Sequence, residues 1–277
     1  MTHDRPWMTA LEMQFATLRN ARTMGSHSTP ADRIAAEVLA AAVPFAWSRD
    51  VSAAVWLASR TIPEDATLSD AVFPDRTMTC WWWFDSPLPI PMAHGQQIDG
   101  CDTTTISGLL LHYQIETNVL IVVDARATLA GPLLTGLHAV KADAKISEIK
   151  TDPISSARAL SLARFIVAAT VWMNQRILIY GTGHIERHRR KQLAREHNNS
   201  PIPSDVKVIQ LRRTESQPRE NSDTEHRDWN CRWIVGGHWR NQPYKDGRKL
   251  IYILPYVKGP DDKPLKVPTH TVYQVSR

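Results

Sequence analysis

The spacing of apolar residues changes along the chain, and each change predicts a different kind of structure. From Met1 to about Met24, Trp7, Leu11, Phe15 and Leu18 recur at steps of four, four and three, which predicts an amphipathic helix. GSHSTP at 25–30 breaks that pattern. Thr29-Pro30-Ala31-Asp32 restarts a helix with a hydroxyl cap, a proline in the first turn and an acid near the positive helix end. The alanine-rich ADRIAAEVLAAAV continues it, and a shorter helix is expected over Val51 to Ser59. From Met78 the pattern turns β-like. TMTCWWWFD, TTTISGLLLHYQI and NVLIVVDA are rich in β-branched and aromatic residues and are bounded by Pro, Gly, Asp and Asn. QIETN is short enough to close an antiparallel hairpin, and the prolines of SPLPIPMAHGQQIDG force an extended connection.

The helical period returns at Ser155 to Gln175, where Ala159, Leu162, Phe165, Ile166 and Ala169 form a broad apolar face. Ile185 to His197, IERHRRKQLAREH, predicts a second and strongly basic helix. DVKVIQLRR alternates as a strand does. TESQPRENSDTEHRD (214–228) has no apolar period and reads as a mobile loop. NCRWIVGGHW, RKLIYILPYV and HTVYQVSR are three closing strands. The expected architecture is therefore α+β: N-terminal helices on an antiparallel sheet, then central helices, then a small basic C-terminal β module. The matching segments are 1–150, 151–200 and 201–277.

Composition supports a folded chain: 43% of the 277 residues are hydrophobic and 22% charged. No run approaches the roughly 20 apolar residues of a membrane-spanning helix. The N-terminus lacks a basic segment followed by an apolar one, so no secretory signal is expected. Cys80, Cys101 and Cys231 are odd in number and widely spaced, which fits neither a disulfide framework nor a metal pair. A reduced cytoplasmic protein without a cofactor or a membrane contact is the expectation. The net charge of +5 conceals an asymmetry. Residues 1–150 hold 11 Lys/Arg against 16 Asp/Glu, whereas residues 151–277 hold 22 against 12. A basic half this pronounced points to an anionic partner, and the acidic half to a protein partner or to internal docking.

Two basic elements are the candidate contacts. On the helix, Arg187, Arg190, Lys191 and Arg195 fall near one face at 100° per residue, with Arg189 to one side. Like charges so close repel, and phosphates would relieve the repulsion while releasing counterions. The commoner meaning of such a run is a solvated helix face. On the hairpin, Lys245-Asp246-Gly247 is a turn signal expected to bring Arg248 and Lys249 across from Arg240 and Gln242. His238, Arg240, Gln242, Arg248, Lys249 and Lys258 are the candidate contacts, and Trp233, Ile251, Ile253 and Val272 the expected core. Gly236-Gly237 signals a bulge. Cations interleaved with Trp and Tyr rings suit single-stranded nucleic acid, RNA or DNA.

At these residues the chain resembles uncharacterised proteins of actinobacteria and their phages and plasmids. The resemblance rests on Val235, Gly237-His238-Trp239-Arg240-Asn241-Gln242, Pro255-Tyr256, Lys258-Gly259-Pro260 and Pro264-Leu265, with VKVIQLRR and TVWMNQ before them. It covers roughly the last 120 residues. It implies a mobile-element or host-defence setting, such as phage defence or a toxin–antitoxin pair, and no activity.

Other chemistry is sparse. His184 and His188 stand four apart, but the sequence is not HExxH and five neighbouring cations would repel a metal ion. GTGH (181–184) lacks the remaining residues of a phosphate loop and reads as a break between helices. A metal-independent ribonuclease could draw a base and cations from His238, Arg240 and Lys249, with Tyr256 nearby. Three function classes stand: a nucleic-acid-binding module, a ribonuclease-like toxin, and a protein-interaction factor that inhibits a host machine. The run Trp81-Trp82-Trp83-Phe84 belongs to a strand whose two faces are both aromatic. It predicts burial of one pair under the N-terminal helix and of the other under 155–175, or else an interface.

Overall fold

The computed structural model describes residues 13–17, 38–39, 41–67, 79–91, 103–114, 116–126, 133–149, 156–175, 177–196, 202–212, 229–245 and 247–266. The chain divides into two units, Met1–Arg212 and Arg213–Arg277.

The first unit is built on one seven-stranded sheet. Its strands are β1 (Val43–Trp47), β2 (Thr79–Pro91), β3 (Thr103–Gln114), β4 (Val119–Arg126), β5 (Leu133–Lys141), β6 (Leu178–His184) and β7 (Asp205–Leu211), and their order across the sheet is β5-β4-β3-β2-β1-β7-β6. β2 to β5 form an antiparallel meander, of which β2 to β4 are the three expected strands, with Gln114 and Val119 paired across the QIETN turn. Asn118 takes φ 53 there, a left-handed position that asparagine tolerates well.

The remainder corrects the expected fold. Strand makes up 47% and helix 29% of the described residues, so the protein is mostly β and its sheet is mixed. It is not a set of N-terminal helices on an antiparallel sheet. β1 runs parallel to both β2 and β7, between them in the interior of the sheet. From Pro44 to Trp47 it is buried on both faces, so it has no polar alternation to set it apart from the alanine-rich run before it. GTGH lies in edge strand β6 and does not break two helices. VKVIQL is β7, a strand of this sheet, and Ile185 precedes the basic helix.

Helices cover both faces of the sheet. On one face, α1 (Arg49–Ser59) and α2 (Ser156–Met173) pack over Phe45, Trp47, Trp82 and Phe84. Phe165 of α2 is the hub: its ring lies 6.3 Å from Trp47, 6.1 Å from Trp56, 6.4 Å from Trp82 and 5.4 Å from Phe84. On the other face, Trp81 and Trp83 stack at 6.0 Å. They share a buried cluster with Phe15, Leu39, Ala42, Ile185 and Leu193 of α3 (Arg187–Glu196). Both pairs of the WWWF run are thus buried. Residues 13–17 are helical, and Gln14 Nε2 donates to the carbonyls of Leu39 at 2.8 Å and Ala42 at 3.0 Å. The rest of the expected N-terminal helix lies outside the described residues.

In the second unit, β8 (Trp233–Val235) pairs with β11 (Tyr256–Lys258), and β9 (His238–Tyr244) with β10 (Gly247–Ile253). Both pairings share one register: Val235 faces Tyr256, and three positions on His238 faces Ile253. They are therefore two stretches of one long antiparallel hairpin, interrupted at Gly236-Gly237 and Leu254-Pro255. The proline supplies no N–H there. The interruption adds no residue to either strand, so the expected bulge does not occur. Beyond β11, Gly259 turns the chain at φ 118, and Leu265 bridges Arg232 in parallel. The third expected strand, with Val272 and Tyr273, and the loop 214–228 lie outside the described residues.

Candidate nucleic-acid interface

Directly opposed residues of an antiparallel pair share a face, so the hairpin register sorts its side chains. One face carries His238, Arg240 and Gln242 from β9, opposite Ile253, Ile251 and Lys249 of β10. The other carries Trp239, Asn241 and Pro243, opposite Tyr252, Leu250 and Arg248. His238, Arg240, Gln242 and Lys249 therefore come together, with Lys249 directly across from Gln242. Arg248 does not join them. It faces Pro243 on the reverse side, one position away from where the turn signal placed it. Lys258 faces Trp233, with its Nζ 6.0 Å from the ring centroid.

None of the described residues of this unit is buried. The expected core residues Trp233, Ile251 and Ile253 are only half-buried, which corrects that expectation. Among the described residues no second layer covers the two strands, and the hairpin holds through its ring pairs instead. Trp239 meets Tyr252 at 4.9 Å, Trp229 meets Trp233 at 4.8 Å, and Lys249 Nζ sits 5.4 Å from the Tyr244 ring centre. A Cβ at Gly237 would fall onto the Tyr252 ring, 2.8 Å from Cζ and 3.1 Å from Pro255 Cδ, so glycine lets that ring lie across the strand.

The electrostatics of the hairpin are one-sided. From Trp229 to Lys258 the chain has Arg232, Arg240, Lys245, Arg248, Lys249 and Lys258, and a single carboxylate beyond Trp229, Asp246. Arg232 is used locally, its Nε donating to the Lys263 carbonyl at 2.8 Å. Arg240, Arg248, Lys249 and Lys258 are exposed.

Helix α3 in the first unit turns Arg187, His188, Lys191 and Arg195 outward, all exposed, while Leu193 is buried. Arg190 does not belong to that outer face. It is half-buried one turn before Leu193, and its charge helps hold the Asp205 carboxyl below the usual range, after the Ser204 and His184 hydrogen bonds. The two histidines at i, i+4 separate: His184 Nδ1 lies 3.0 Å from Asp205, and His188 Nδ1 lies 3.1 Å from Glu186. Among the described residues no group of three or more metal-ligating side chains occurs.

The ribonuclease residues are spread out. Four positions along the strands separate the His238 pair from the Lys249 pair, about 13 Å at the usual strand rise. Tyr256 pairs with Val235, on the face away from His238. His238 Nδ1 lies 3.0 Å from the carbonyl of Gly236, two residues back in its own strand. The pairing of Arg240 with Ile251 and the division of the two faces were concealed in the sequence, because a shift of one residue at the turn exchanges them.

Among the described residues no helix is long and apolar enough to cross a membrane. No protein-family model, curated protein or solved structure matches this chain.

Proposed function

We propose that this is a nucleic-acid-binding protein whose C-terminal hairpin contacts phosphates, in the mobile-element or host-defence setting that the resemblance implies. The observation that carries the reading is the strand chemistry: four exposed cations on a two-stranded hairpin whose strands hold no carboxylate. Cations left exposed on such a ribbon gain most from a polyanion, because each phosphate they neutralise releases condensed counterions. The outer face of α3, with Arg187, Lys191 and Arg195, is a second phosphate-binding surface in the first unit. His238 serves binding and not cleavage, since among the described residues no proton donor on its face of the hairpin lies within reach of one phosphate.

The test is a titration of the full-length protein against labelled random-sequence nucleic acids at low and at physiological salt. Binding should weaken steeply with salt. Replacing Arg240 and Lys249 together by Glu should abolish it at physiological salt and lower the salt slope by about one for each phosphate no longer neutralised. Affinity that ignores both salt and these replacements would refute the proposal. So would a complete absence of binding at low salt.

A further inference from the structure

The hairpin geometry points to duplex DNA as the polymer bound, with the β9–β10 ribbon entering the major groove and Arg240, Gln242 and Lys249 reaching base edges. This inference rests on the nucleic-acid reading above and narrows it.

Three observations carry it. First, among the described residues β9 and β10 pair only with each other, and none of their side chains is buried. Among the described residues the element is a two-stranded ribbon, and the B-form major groove, about 12 Å wide, admits such a ribbon. The A-form groove of duplex RNA is too narrow for it.

Second, one face of the ribbon concentrates residues that read base edges. Gln242 and Lys249 are a cross-strand pair, and Arg240 lies two residues from Gln242 on the same side. Arg and Lys recognise guanine through its O6 and N7, and Gln recognises adenine through its N6 and N7. Same-face neighbours in a strand stand about 6.7 Å apart, close to two base-pair steps of about 3.4 Å each. Ile251, opposite Arg240, offers an apolar contact of the kind a thymine methyl takes. Arg248 on the reverse face and Lys245 at the turn are placed for the phosphates of the groove walls.

Third, most rings of the hairpin are already engaged within it, although Trp229, Tyr244 and Tyr256 remain partly exposed. Trp239 packs on Tyr252, Trp229 on Trp233, Lys258 lies over Trp233, and Lys249 over Tyr244. A single-strand platform presents open ring faces in series. Here the rings hold the ribbon together and the polar side chains project from it.

The experiment has two arms, both on the full-length protein. In the first, random-sequence duplex DNA competes at one salt concentration with the matched single strand, the matched RNA strand and duplex RNA. In the second, a randomised DNA duplex pool is taken through rounds of selection by the wild type, Gln242→Ala and Arg240→Ala. The expected result is a preference for duplex DNA and enrichment of a short motif. Gln242→Ala should lose the preference at one position while keeping its affinity for random duplex. Arg240→Ala should weaken the selected site about 5- to 150-fold, the range expected for one bidentate base contact. Unchanged far-UV circular dichroism would show that both variants are folded. Tighter binding to either single strand or to duplex RNA would overturn the groove assignment and leave the nucleic-acid reading standing. Duplex binding without an enriched motif would overturn base reading by these residues. Failure to bind any of the four polymers would remove both readings together.

Discussion

At the scale of single residues, aromatic burial dominates, together with the polar groups it leaves unsatisfied. The indole N–H groups of Trp47 and Trp56 are buried with no hydrogen-bond partner among the described residues. Each such orphan costs about 1–3 kcal/mol. Burying 150–250 Å² of aromatic surface at about 25 cal/mol per Å² contributes roughly 4–6 kcal/mol, so packing around Phe165 outweighs the missing hydrogen bonds. Burial also shifts acids. It pushes the Cys80 thiol well above its ordinary range, and it raises the Tyr180 phenol from 10.0 to about 12. Tyr180 is partly exposed, yet its hydroxyl donates to the Met173 carbonyl at 2.5 Å, joining β6 to the end of α2. A raised phenol favours the neutral form in the folded state. The stability it contributes is complete below the unfolded value near 10 and is lost as pH rises through about 12. Spectrophotometric titration should therefore show Tyr180 ionising late, and Tyr180→Phe should remove that component. A Tyr180→Phe profile identical to wild type would contradict the assignment.

At the scale of elements, the two glycines of the hairpin have different roles although they are adjacent. A Cβ at Gly236 would meet nothing within 4 Å, whereas one at Gly237 would displace the Tyr252 ring from its place beside Trp239. Gly237→Ala should cost about 1 kcal/mol, the value of an aromatic pair, and diminish the near-UV circular dichroism of Trp239. Gly236→Ala should leave both within error. Equal effects from the two would mean that Tyr252 does not lie across the strand. In α3 the helical period places Lys191 and Arg195 outward, but Arg190 shows that a basic residue beside the buried Leu193 is drawn into the fold's own electrostatics.

At the scale of the whole molecule, stability is distributed unevenly between the two units. The first has an aromatic-rich core on both sides of its sheet. On the side of α2, Arg158 makes two hydrogen bonds, at 2.8 and 3.0 Å, to the fully buried Asp124 of β4, with His138 Nε2 3.5 Å away. A buried carboxylate is tolerable only with such partners, and the pair holds α2 to the meander. The second unit has no buried residue among those described. Hydrogen exchange should show the amides of Arg240–Tyr252 opening far below the global unfolding free energy, with those of Leu109–Leu111 and Leu120–Val123 exchanging only on global unfolding. Matching protection in both sets would show that the hairpin unfolds together with the sheet. A loosely held ribbon is suited to ordering on a polymer, which is how the stability pattern bears on the proposed function.

The local chemistry was legible in the chain. The meander from β2 to β4, helices α1 and α2, the turn at residues 245–247 and the basic character of α3 and the hairpin all follow from periodicity, caps, turn residues and charge, which act over a few neighbours. Tertiary structure decided what depends on distant partners. β1 lies inside the sheet between β2 and β7 and is covered on both faces, and β7 pairs with it although β2 to β6 lie between them in the chain. No local pattern records such pairings. The face on which Arg240, Gln242 and Lys249 meet, and from which Arg248 is excluded, depends on a single residue of register, and side chains alternate with a period of two. The amino-acid sequence by itself determined that the C-terminal half is cationic and aromatic. Only the folded hairpin decided which of those groups pair with one another and which remain exposed.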